Sequence, residues 1–324
     1  MRRSIFTIDL MPHTLKVAVV GVGHLGKWHA EKYAAAADCE LLAVVDNNLP
    51  VARDIAQKHG ARAFSDYHEI LPLVEAVSIV VPTSLHYKIA SEFLEAGIHC
   101  LIEKPITETA TEAETLIGIA HGKGLILQVG HIERFNSVML GIAEHLQQPQ
   151  FLESTRLAPF SLRATDVSVI HDLMIHDIDI ILDLIDSPIR KISANGIAVL
   201  SDTIDIANAR IEFENQCVAN ITASRISRKR ERKLRIFQKD AYLSIDFQDR
   251  VISVNRKSET DNESGFKDIT QQRYQFEDND ALNLEVLDFI RAINTSSRPT
   301  VNGEDGKRAL ETAIAINAEI KQSL

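Results

Sequence analysis

The first 130 residues alternate short, continuously apolar runs with stretches in which apolar positions recur every three or four residues. Apolar runs without polar alternation are typical of strands that are covered on both faces. They predict strands at 15–20, 41–45, 76–81, 98–102 and 125–129, with a short additional one at 61–64. The periodic stretches predict helices at 24–36, 50–59, 86–96 and 111–121, and Gly60, Gly97 and Gly124 stand where C-terminal caps belong. This alternation predicts an α/β domain with a doubly wound parallel sheet.

The pattern changes after about residue 150. A helical stretch at 168–185 stands among strand-like segments separated by few turn residues, which is typical of antiparallel pairing. Those segments are 151–157, 192–200, 207–213, 217–224, 233–237, 241–245 and 251–254. Residues 259–265 predict an exposed loop, and two helices, 280–293 and 306–322, close the chain. We therefore expect a flexible leader over 1–13, a Rossmann domain over 14–133, and an α+β domain with a large, mainly antiparallel open sheet over 134–324.

Composition narrows the class of protein. The 324 residues suit two domains, and 45% hydrophobic with 25% charged residues is ordinary for a soluble globular chain. The formal charge of −10 disfavours nucleic acid as a partner, because phosphate backbones require a basic face. One basic run, 225–233, has two interpretations: a solvated strand edge or turn, or a local site for a phosphate-bearing ligand.

The leader and the cysteines bear on location. No apolar run approaches the roughly 18 residues that a membrane helix needs. Asp9 interrupts the short apolar stretch of the leader, which disfavours a signal peptide, and Met11 is a second candidate start. The three cysteines, Cys39, Cys100 and Cys217, match no metal spacing and suit a reducing compartment. A cytoplasmic protein is the expectation.

A glycine turn, Gly21-Val22-Gly23-His24-Leu25-Gly26, follows the first predicted strand and opens the first predicted helix. In that context the spacing is the fingerprint of a dinucleotide site. Gly21 makes the tight turn, Gly23 lets the backbone approach a pyrophosphate, and Gly26 lets helix and strand pack closely. The helix N-terminus offers unpaired N–H groups to the phosphates, so His24 and Leu25 are further candidate cofactor contacts.

Asp46 ends the second predicted strand, 20 residues after Gly26. A carboxylate there accepts hydrogen bonds from ribose hydroxyls and repels the 2′-phosphate of NADP. Asn47 and Asn48 follow it, rather than an arginine. These residues predict NAD as the cofactor, with Asp46 and Asn47 at the ribose. A Rossmann-like fold that binds another nucleotide, or none, is the alternative.

Two further strand ends face the edge of the predicted sheet at which ligands of such folds bind. They are Pro82-Thr83-Ser84-Leu85-His86 and Glu103-Lys104-Pro105. An Asp-x-x-x-His pair, Asp172 and His176, follows in the second domain. With the glycine turn, these motifs make the chain resemble the Gfo/Idh/MocA oxidoreductase family over nearly its whole length.

The resemblance implies a role for each residue. Lys104 is expected to hydrogen-bond the reacting hydroxyl near the nicotinamide, His176 to act as general base, and Asp172 to orient or support this pair. Glu103 and residues 82–86, among them Pro82, Thr83 and His86, are expected to line the nicotinamide half of NAD. The residue types suit alcohol oxidation, which needs a base of near-neutral pKa and an ammonium beside the developing alkoxide.

A polar stripe marks the helix predicted over 168–185. Asp172, His176, Asp179 and Asp183 follow one another at i, i+4, i+7 and i+11, which puts them on one face. Such a stripe faces a cleft, a partner charge or solvent, and for Asp179 and Asp183 the solvated face is the simpler interpretation. A metal site is disfavoured, because His171 and His176 diverge around the helix by about 140°.

A second resemblance concerns the segment after the fifth main strand, Gly130-His131-Ile132-Glu133-Arg134-Phe135-Asn136. It is similar to a subset of the family, the UDP-N-acetylglucosamine 3-dehydrogenases, although Ser137 stands where many such relatives have proline. The resemblance implies candidate substrate contacts at His131, Arg134, Asn136 and Arg163, with Arg134 or Arg163 at a diphosphate or sugar hydroxyl. The alternative for Arg134 is a salt bridge at the hinge between domains.

The sequence therefore predicts an NAD-dependent oxidoreductase that converts a sugar ring hydroxyl to a ketone, at C3 of a UDP-linked N-acetylhexosamine. A dehydrogenase of free cyclitols or sugars, and an NAD-binding redox sensor without turnover, are the alternatives. No metal and no membrane partner are expected. An open antiparallel sheet needs covering, which predicts a homodimer or homotetramer.

Overall fold

The computed structural model describes residues 14–161, 167–239, 241–261 and 267–323. The leader predicted over residues 1–13 and the candidate substrate contact Arg163 lie outside these described residues. The strands form two sheets, one of six strands and one of eight. No helix in the described ranges is long and apolar enough to cross a membrane.

Parallel strands alternate with helices in the first sheet, as the apolar runs predict. The strands are β1 (Leu15–Val20), β2 (Cys39–Val45), β3 (Arg62–Phe64), β4 (Ala76–Ile79), β5 (His99–Glu103) and β6 (Leu127–Gly130). The helices are α1 (Gly26–Ala35), α2 (Leu49–His59), α3 (His86–Glu95) and α4 (Ala110–Lys123). The strand order β3-β2-β1-β4-β5-β6 reverses direction between β1 and β4, so a crevice opens at the carboxyl ends of these two strands.

Burial explains why these runs form strands. Every residue of β4 and of β6 is buried, so helices cover both faces of the sheet and polar alternation is absent. Gly60 and Gly124 end α2 and α4 at φ of 72° and 66°, a left-handed conformation that glycine adopts without strain. Thr109 and Glu112 begin α4 with a capping box, which satisfies backbone N–H groups at that end.

The second sheet belongs to the second half of the chain. Its strands are β7 (Pro149–Leu157), β8 (Ile189–Ile197), β9 (Ile206–Phe213), β10 (Val218–Ser224), β11 (Glu231–Gln238), β12 (Ala241–Asp246), β13 (Val251–Asp261) and β14 (Lys267–Gln275). The order is β14-β13-β12-β11-β7-β10-β9-β8, and all pairs are antiparallel except β7 with β10. The predicted fold class, a Rossmann domain followed by a mainly antiparallel α+β domain, is confirmed.

Two predictions about this sheet are wrong. The loop predicted over 259–265 is strand over 259–261, because β13 continues to Asp261; residues 262–266 lie outside the described residues. β14 has no counterpart among the predicted strands. It pairs with β13 at the sheet edge, and successive residues such as Gln271 and Gln272 are both exposed, so no hydrophobic alternation marks it.

The helix predicted over 168–185 consists of a π-helical turn, Ile170–Met174, followed by α6 (Ile175–Leu184). Ile175, Ile178 and Ile181 are fully buried in the core that α6 shares with the second sheet. π-turns of this kind occur frequently at functional sites. Here the turn carries Asp172, and α6 carries His176 in its first turn.

The short helix α5 (Ser137–Ile142) follows β6, and the chain closes with α7 (Ala281–Thr295) and α8 (Gly303–Ser323), which return to the first domain. Val286, Phe289 and Ile290 of α7 are buried in one cluster with residues of β1 and β2. α8 begins against β6 and α4 and continues against α6 and β8. The domain boundary at residue 133 stays a prediction, and this packing favours a first domain that also includes α7.

Candidate active site

The glycine turn lies at the carboxyl end of β1. Gly21 has φ of 85°, and a Cβ there would collide with the Val80 carbonyl; a Cβ on Gly26 would collide with the carbonyl of Gly21. Around Gly23, by contrast, a Cβ would meet no described atom within 4 Å, so the backbone borders open space. His24 and Leu25 stand exposed at the tip of the turn. The turn therefore leaves room for a pyrophosphate beside Gly23, as the motif predicts.

Asp46 lies beside this turn, just after β2. Its Oδ2 accepts a hydrogen bond from the Val22 N–H at 3.1 Å, and its Oδ1 accepts one from the Asn48 N–H at 2.9 Å. Asp46 and Asn47 line a cavity of about 400 Å³ together with Gly21, Gly23 and Pro82. A carboxylate fixed in this position can accept hydrogen bonds from ribose hydroxyls, so the residues present fit an NAD adenosine half.

The two strand ends after β4 and β5 are joined by a histidine. His86 is 1% exposed, and its Nδ1 and Nε2 lie 2.9 Å from the carbonyl oxygens of Pro105 and Val81. Burial lowers the pKa of His86, so the imidazole is neutral and donates to one carbonyl at a time. These contacts therefore argue against a direct contact between His86 and the cofactor. They indicate that His86 fixes the two strand ends, whereas Pro82 and Thr83 lie on the cleft side.

Glu103, at the end of β5, is held from two sides. Its Oε1 lies 3.2 Å from His29 Nε2, and its Oε2 accepts the Lys104 N–H at 3.1 Å. Burial alone would raise the pKa of Glu103, but hydrogen bonding to His29 and the nearby charges lower it. Glu103 is therefore an anion that orients the start of the Glu-Lys-Pro segment.

Glu285, from α7, forms a cluster with His29 and Glu103. Nothing in the sequence indicated that Glu285 belongs to the site. Ligand atoms of His29, Glu103 and Glu285 all lie within 4.8 Å of one another, and neither Glu285 carboxyl oxygen has a hydrogen-bond partner among the described residues. Burial, followed by the charges of Glu103 and Asp288, raises the pKa of Glu285 well above its ordinary value. A protonated Glu285 accounts for the cluster without a cation.

Lys104 reaches from the first domain into the second. Its Nζ donates to the Asp172 carbonyl oxygen at 2.8 Å and lies 3.7 Å from Asp172 Oδ1. Burial lowers the pKa of Lys104, while the carboxylates of Asp172 and Glu103 oppose this. The structure thus brings together Lys104 and Asp172, two of the three predicted catalytic residues.

His176 follows Asp172, the residue that holds Lys104, by one helical turn. Burial, followed by the charges of Lys104 and Arg156, lowers the pKa of His176 well below its ordinary value. Nδ1 of His176 is buried and has no hydrogen-bond partner in the described part of the chain. A neutral imidazole beside an ammonium is an arrangement that can accept a proton from a hydroxyl and stabilise the oxygen left behind.

His131 follows the end of β6 and lies beside Asp179 of α6. It is 1% exposed, neither ring nitrogen has a hydrogen-bond partner among the described residues, and Nδ1 lies 4.0 Å from Asp179 Oδ2. Burial lowers the pKa of His131, with Asp179 opposing and the charges of Arg134 and Lys104 adding to the effect. Because neither ring nitrogen of His131 is hydrogen-bonded among the described residues, its contact with the substrate stays a prediction.

Arg134 forms a salt bridge, which the sequence left open as the alternative to a substrate contact. Its Nε and Nη2 donate to the two carboxylate oxygens of Asp179 at 2.7 and 3.1 Å, and its Nη1 pairs with Asp183. The side chain is buried, so the contacts favour an ion pair at the domain junction over a substrate contact. The Asn136 side chain likewise caps α5, because its Oδ1 accepts the Val138 N–H at 3.1 Å.

A second charged network includes Asp177, the residue after His176, and was also missed from the sequence. Arg156, on β7, donates from Nε to Asp177 Oδ2 at 2.6 Å and from Nη1 to Glu133 Oε1 at 2.9 Å. The same Glu133 oxygen accepts from Arg232 Nη1 at 3.3 Å. Burial alone would raise the pKa of Glu133, but the charges of Arg156 and Arg232 and the hydrogen bonds to Glu133 together outweigh burial and lower it. The network connects the segment after β6 to the second sheet.

Profiles of two known domains match the chain. That of the oxidoreductase family with the NAD-binding Rossmann fold, Gfo/Idh/MocA, matches residues 15–131, and that of the Gfo/Idh/MocA C-terminal domain matches residues 145–244. The UDP-N-acetylglucosamine 3-dehydrogenase of Acidithiobacillus ferrooxidans is 38% identical over 315 residues, which are 96% of this chain and 98% of that protein. The chain belongs to the Gfo/Idh/MocA family. It is accordingly an NAD-binding oxidoreductase of the kind that acts on hydroxyl groups.

Solved structures and more distant relatives agree with the family. A structure of the same Acidithiobacillus ferrooxidans dehydrogenase matches with a TM-score of 0.89 at 37% identity, covering 96% of this chain and 99% of that one. The myo-inositol 2-dehydrogenase of Thermotoga maritima is 24% identical over 95% of this chain and 97% of its own length. A levoglucosan dehydrogenase in complex with NADH shares the fold, with a TM-score of 0.85 at 19% identity over 96% of this chain and 98% of that one.

Proposed function

We propose that this Gfo/Idh/MocA protein oxidises the C3 hydroxyl of a UDP-linked N-acetylhexosamine to a ketone and transfers the hydride to NAD. The observation that carries the chemistry is the Lys104 ammonium, held by Asp172 one helical turn before the neutral His176. The substrate class is supported by the 38% identity to a UDP-N-acetylglucosamine 3-dehydrogenase over nearly the full length of both chains.

Each residue has a distinct task in this proposal. Bound NAD supplies the hydride acceptor. His176 accepts the hydroxyl proton, since burial and neighbouring positive charge keep its imidazole unprotonated at neutral pH. Lys104 donates a hydrogen bond to the same oxygen and stabilises the negative charge that develops on it. Asp172 holds the Lys104 side chain through its carbonyl oxygen and carboxylate.

The cofactor half of the site comes from the first domain. Gly21, Gly23 and Gly26 form the turn that would hold the pyrophosphate, and Asp46 would accept the ribose hydroxyls. Glu103, fixed by His29, would place Lys104 at the nicotinamide end. The reacting groups thus meet where the two domains meet, which is the usual location of small-molecule sites.

A substrate panel tests the proposal. The purified full chain with NAD would be offered UDP-N-acetylglucosamine, UDP-N-acetylgalactosamine, free N-acetylglucosamine and myo-inositol, with NADH absorbance as readout and NMR of the product to locate the ketone. We expect turnover of UDP-linked N-acetylhexosamines with the ketone at C3. Turnover confined to myo-inositol or free sugars would contradict the proposal in favour of a cyclitol or sugar dehydrogenase.

Lys104→Ala separates an enzyme from a sensor that binds NAD without turnover. The variant is expected to lose turnover, by roughly 10²-fold or more, while NAD still binds, because the pyrophosphate and ribose contacts lie on other elements. Lys123→Ala, on the surface of α4, is the matched control. Unchanged turnover in Lys104→Ala would remove Lys104 from the mechanism.

The oligomeric state is proposed separately. The face of the second sheet that lies away from α6 carries a row of aromatic side chains, in which Phe237 packs against both Phe151 and Tyr242. We propose that a second copy of the chain covers this face in a homodimer or homotetramer. Light scattering of the intact protein and of a Tyr242→Glu variant tests this, and a monomeric wild type would refute it.

A further inference from the structure

The basic run at 225–233 divides into three parts in the structure. Arg225 is buried and donates from Nε to Asp205 Oδ1 at 2.8 Å. Residues 228–230 are exposed in the turn before β11. Arg232 alone of the run stands opposite Arg156 in the strand register, on the sheet face that α6 covers. The run is therefore neither a uniform solvated edge nor a single patch, and one of its members, Arg232, lies on the sheet face that α6 covers.

The Arg232 guanidinium is oriented by one hydrogen bond, and most of its N–H donors are unused among the described residues. Its side chain is 47% exposed, and within the described chain its one hydrogen-bond partner is Glu133 Oε1, at 3.3 Å from Nη1. That oxygen also accepts the shorter bond from Arg156 Nη1, at 2.9 Å. A guanidinium has five N–H donors, so most of those on Arg232 remain available to a ligand. A planar fork of this kind matches phosphate oxygens.

The position of Arg232 relative to the base suits a phosphate on the substrate. Arg232 shares Glu133 Oε1 with Arg156, and Arg156 Nε donates to Asp177, the residue after His176 on α6. A chain of three contacts therefore joins the Arg232 guanidinium to the helix that carries the base. In a UDP-linked N-acetylhexosamine the diphosphate hangs from the oxygen on C1, two ring carbons from C3. When the C3 hydroxyl meets His176, the diphosphate must therefore lie within a few bond lengths of the ring, a distance that a cation near His176 can bridge.

We infer that Arg232 forms the subsite for the diphosphate of the nucleotide sugar, oriented by Glu133. This inference rests on the proposed function and names the contact that would distinguish a nucleotide sugar from a free one. It also reassigns the diphosphate contact expected of Arg134, whose donors are engaged by Asp179 and Asp183. The segment after β6 then contributes through Glu133, which positions the cation, rather than through its own arginine.

Binding and kinetics of three variants test the subsite. Arg232→Gln removes the charge, Arg232→Lys keeps the charge but loses the fork, and Arg235→Gln is the matched control on the opposite face of β11, where Arg235 pairs with Glu153. UDP is the binding probe, measured by calorimetry alongside NAD. We expect Arg232→Gln to raise the Kd of UDP and the KM of UDP-N-acetylglucosamine by about tenfold or more, since charge-assisted bonds are the strong ones. Arg232→Lys should fall between, with the Kd of NAD unchanged.

The outcomes separate this inference from the proposed function. If the wild type oxidises UDP-N-acetylglucosamine and both Arg232 variants bind UDP as it does, the subsite is wrong and the proposed function stands. If the variants lose NAD affinity instead, Arg232 faces the cofactor phosphates and the inference is overturned. If the wild type oxidises free sugars or cyclitols and binds no UDP, the proposed function falls and the subsite with it. Arg232→Lys keeps the test decisive if Arg232→Gln does not fold.

Discussion

Replacing His176 by glutamine tests the assignment of the general base. The imidazole is half-buried, and the loss of solvent together with the charges of Lys104, Arg156 and Arg232 lowers its pKa well below the ordinary value. Nearly all wild-type molecules therefore carry the basic form at pH 7. A positioned general base contributes roughly 10²–10⁴-fold to rate. Since each tenfold corresponds to about 1.4 kcal/mol, His176→Gln should raise the barrier by about 3–5.5 kcal/mol.

The pH profile makes the test specific to a base. In the wild type, kcat/KM should fall as pH drops through the lowered pKa of His176, because protonation removes the acceptor; this limb lies on the acid side of the ordinary histidine value of about 6.5. The rate is followed by NADH absorbance across the acid and neutral range. His121→Gln, an exposed histidine on α4, should leave rate and profile unchanged. An acid limb that persists in His176→Gln, or a loss smaller than about tenfold, would refute the assignment.

Three further predictions concern cofactor choice and stability. Asp46→Arg should raise the Kd of NAD about tenfold or more, because charged hydrogen bonds of about 1.5–3 kcal/mol to the ribose are lost. The variant should also prefer NAD over NADP less strongly than the wild type does, and titration with both nucleotides measures this. Glu285 has a raised pKa in the folded state, so the wild type should lose stability as pH rises above the unfolded value of about 4.3; Glu285→Gln should flatten that decline, measured as Tm against pH. Gly306→Ala should cost about 1–3 kcal/mol, because the new Cβ would lie 2.6 Å from Val129 Cγ2, whereas Gly118→Ala, which meets no described atom within 4 Å, should gain up to about 1 kcal/mol in chemical denaturation.

The elements of the first domain could be predicted because burial on both faces leaves a mark in sequence. The predicted strand at 15–20 coincides with β1, and the others differ from the observed strands by a few residues at their ends. β14 carried no such mark, since exposed residues such as Gln271 and Gln272 show no apolar period. An edge strand of this kind is defined by hydrogen bonds to its neighbour rather than by its own side chains.

Some residues of the candidate site could be placed from local sequence, whereas the contacts of others depend on long-range packing. Gly21, Gly26 and Asp46 could be placed from spacing, because a turn and a strand end fix them locally. The engagement of Arg134 by Asp179, 45 residues later, and of Glu103 by His29, 74 residues earlier, depends on how the domains pack. Arg232 is a sharper case, since nothing in the basic run marks which arginine would share Glu133 with Arg156.

The 21 residues of α8 form one uninterrupted helix, roughly 30 Å long, that runs from one domain to the other. Its first turns rest on β6 and α4, and its later turns lie on α6, the helix that carries His176. It acts as a strut, so opening the cleft requires bending a continuous helix rather than swinging a loop. Since α8 packs on both the first domain and α6, we expect a substrate to spend little of its binding energy on bringing Lys104 and His176 together. The same strut should make the two halves melt as a single unit.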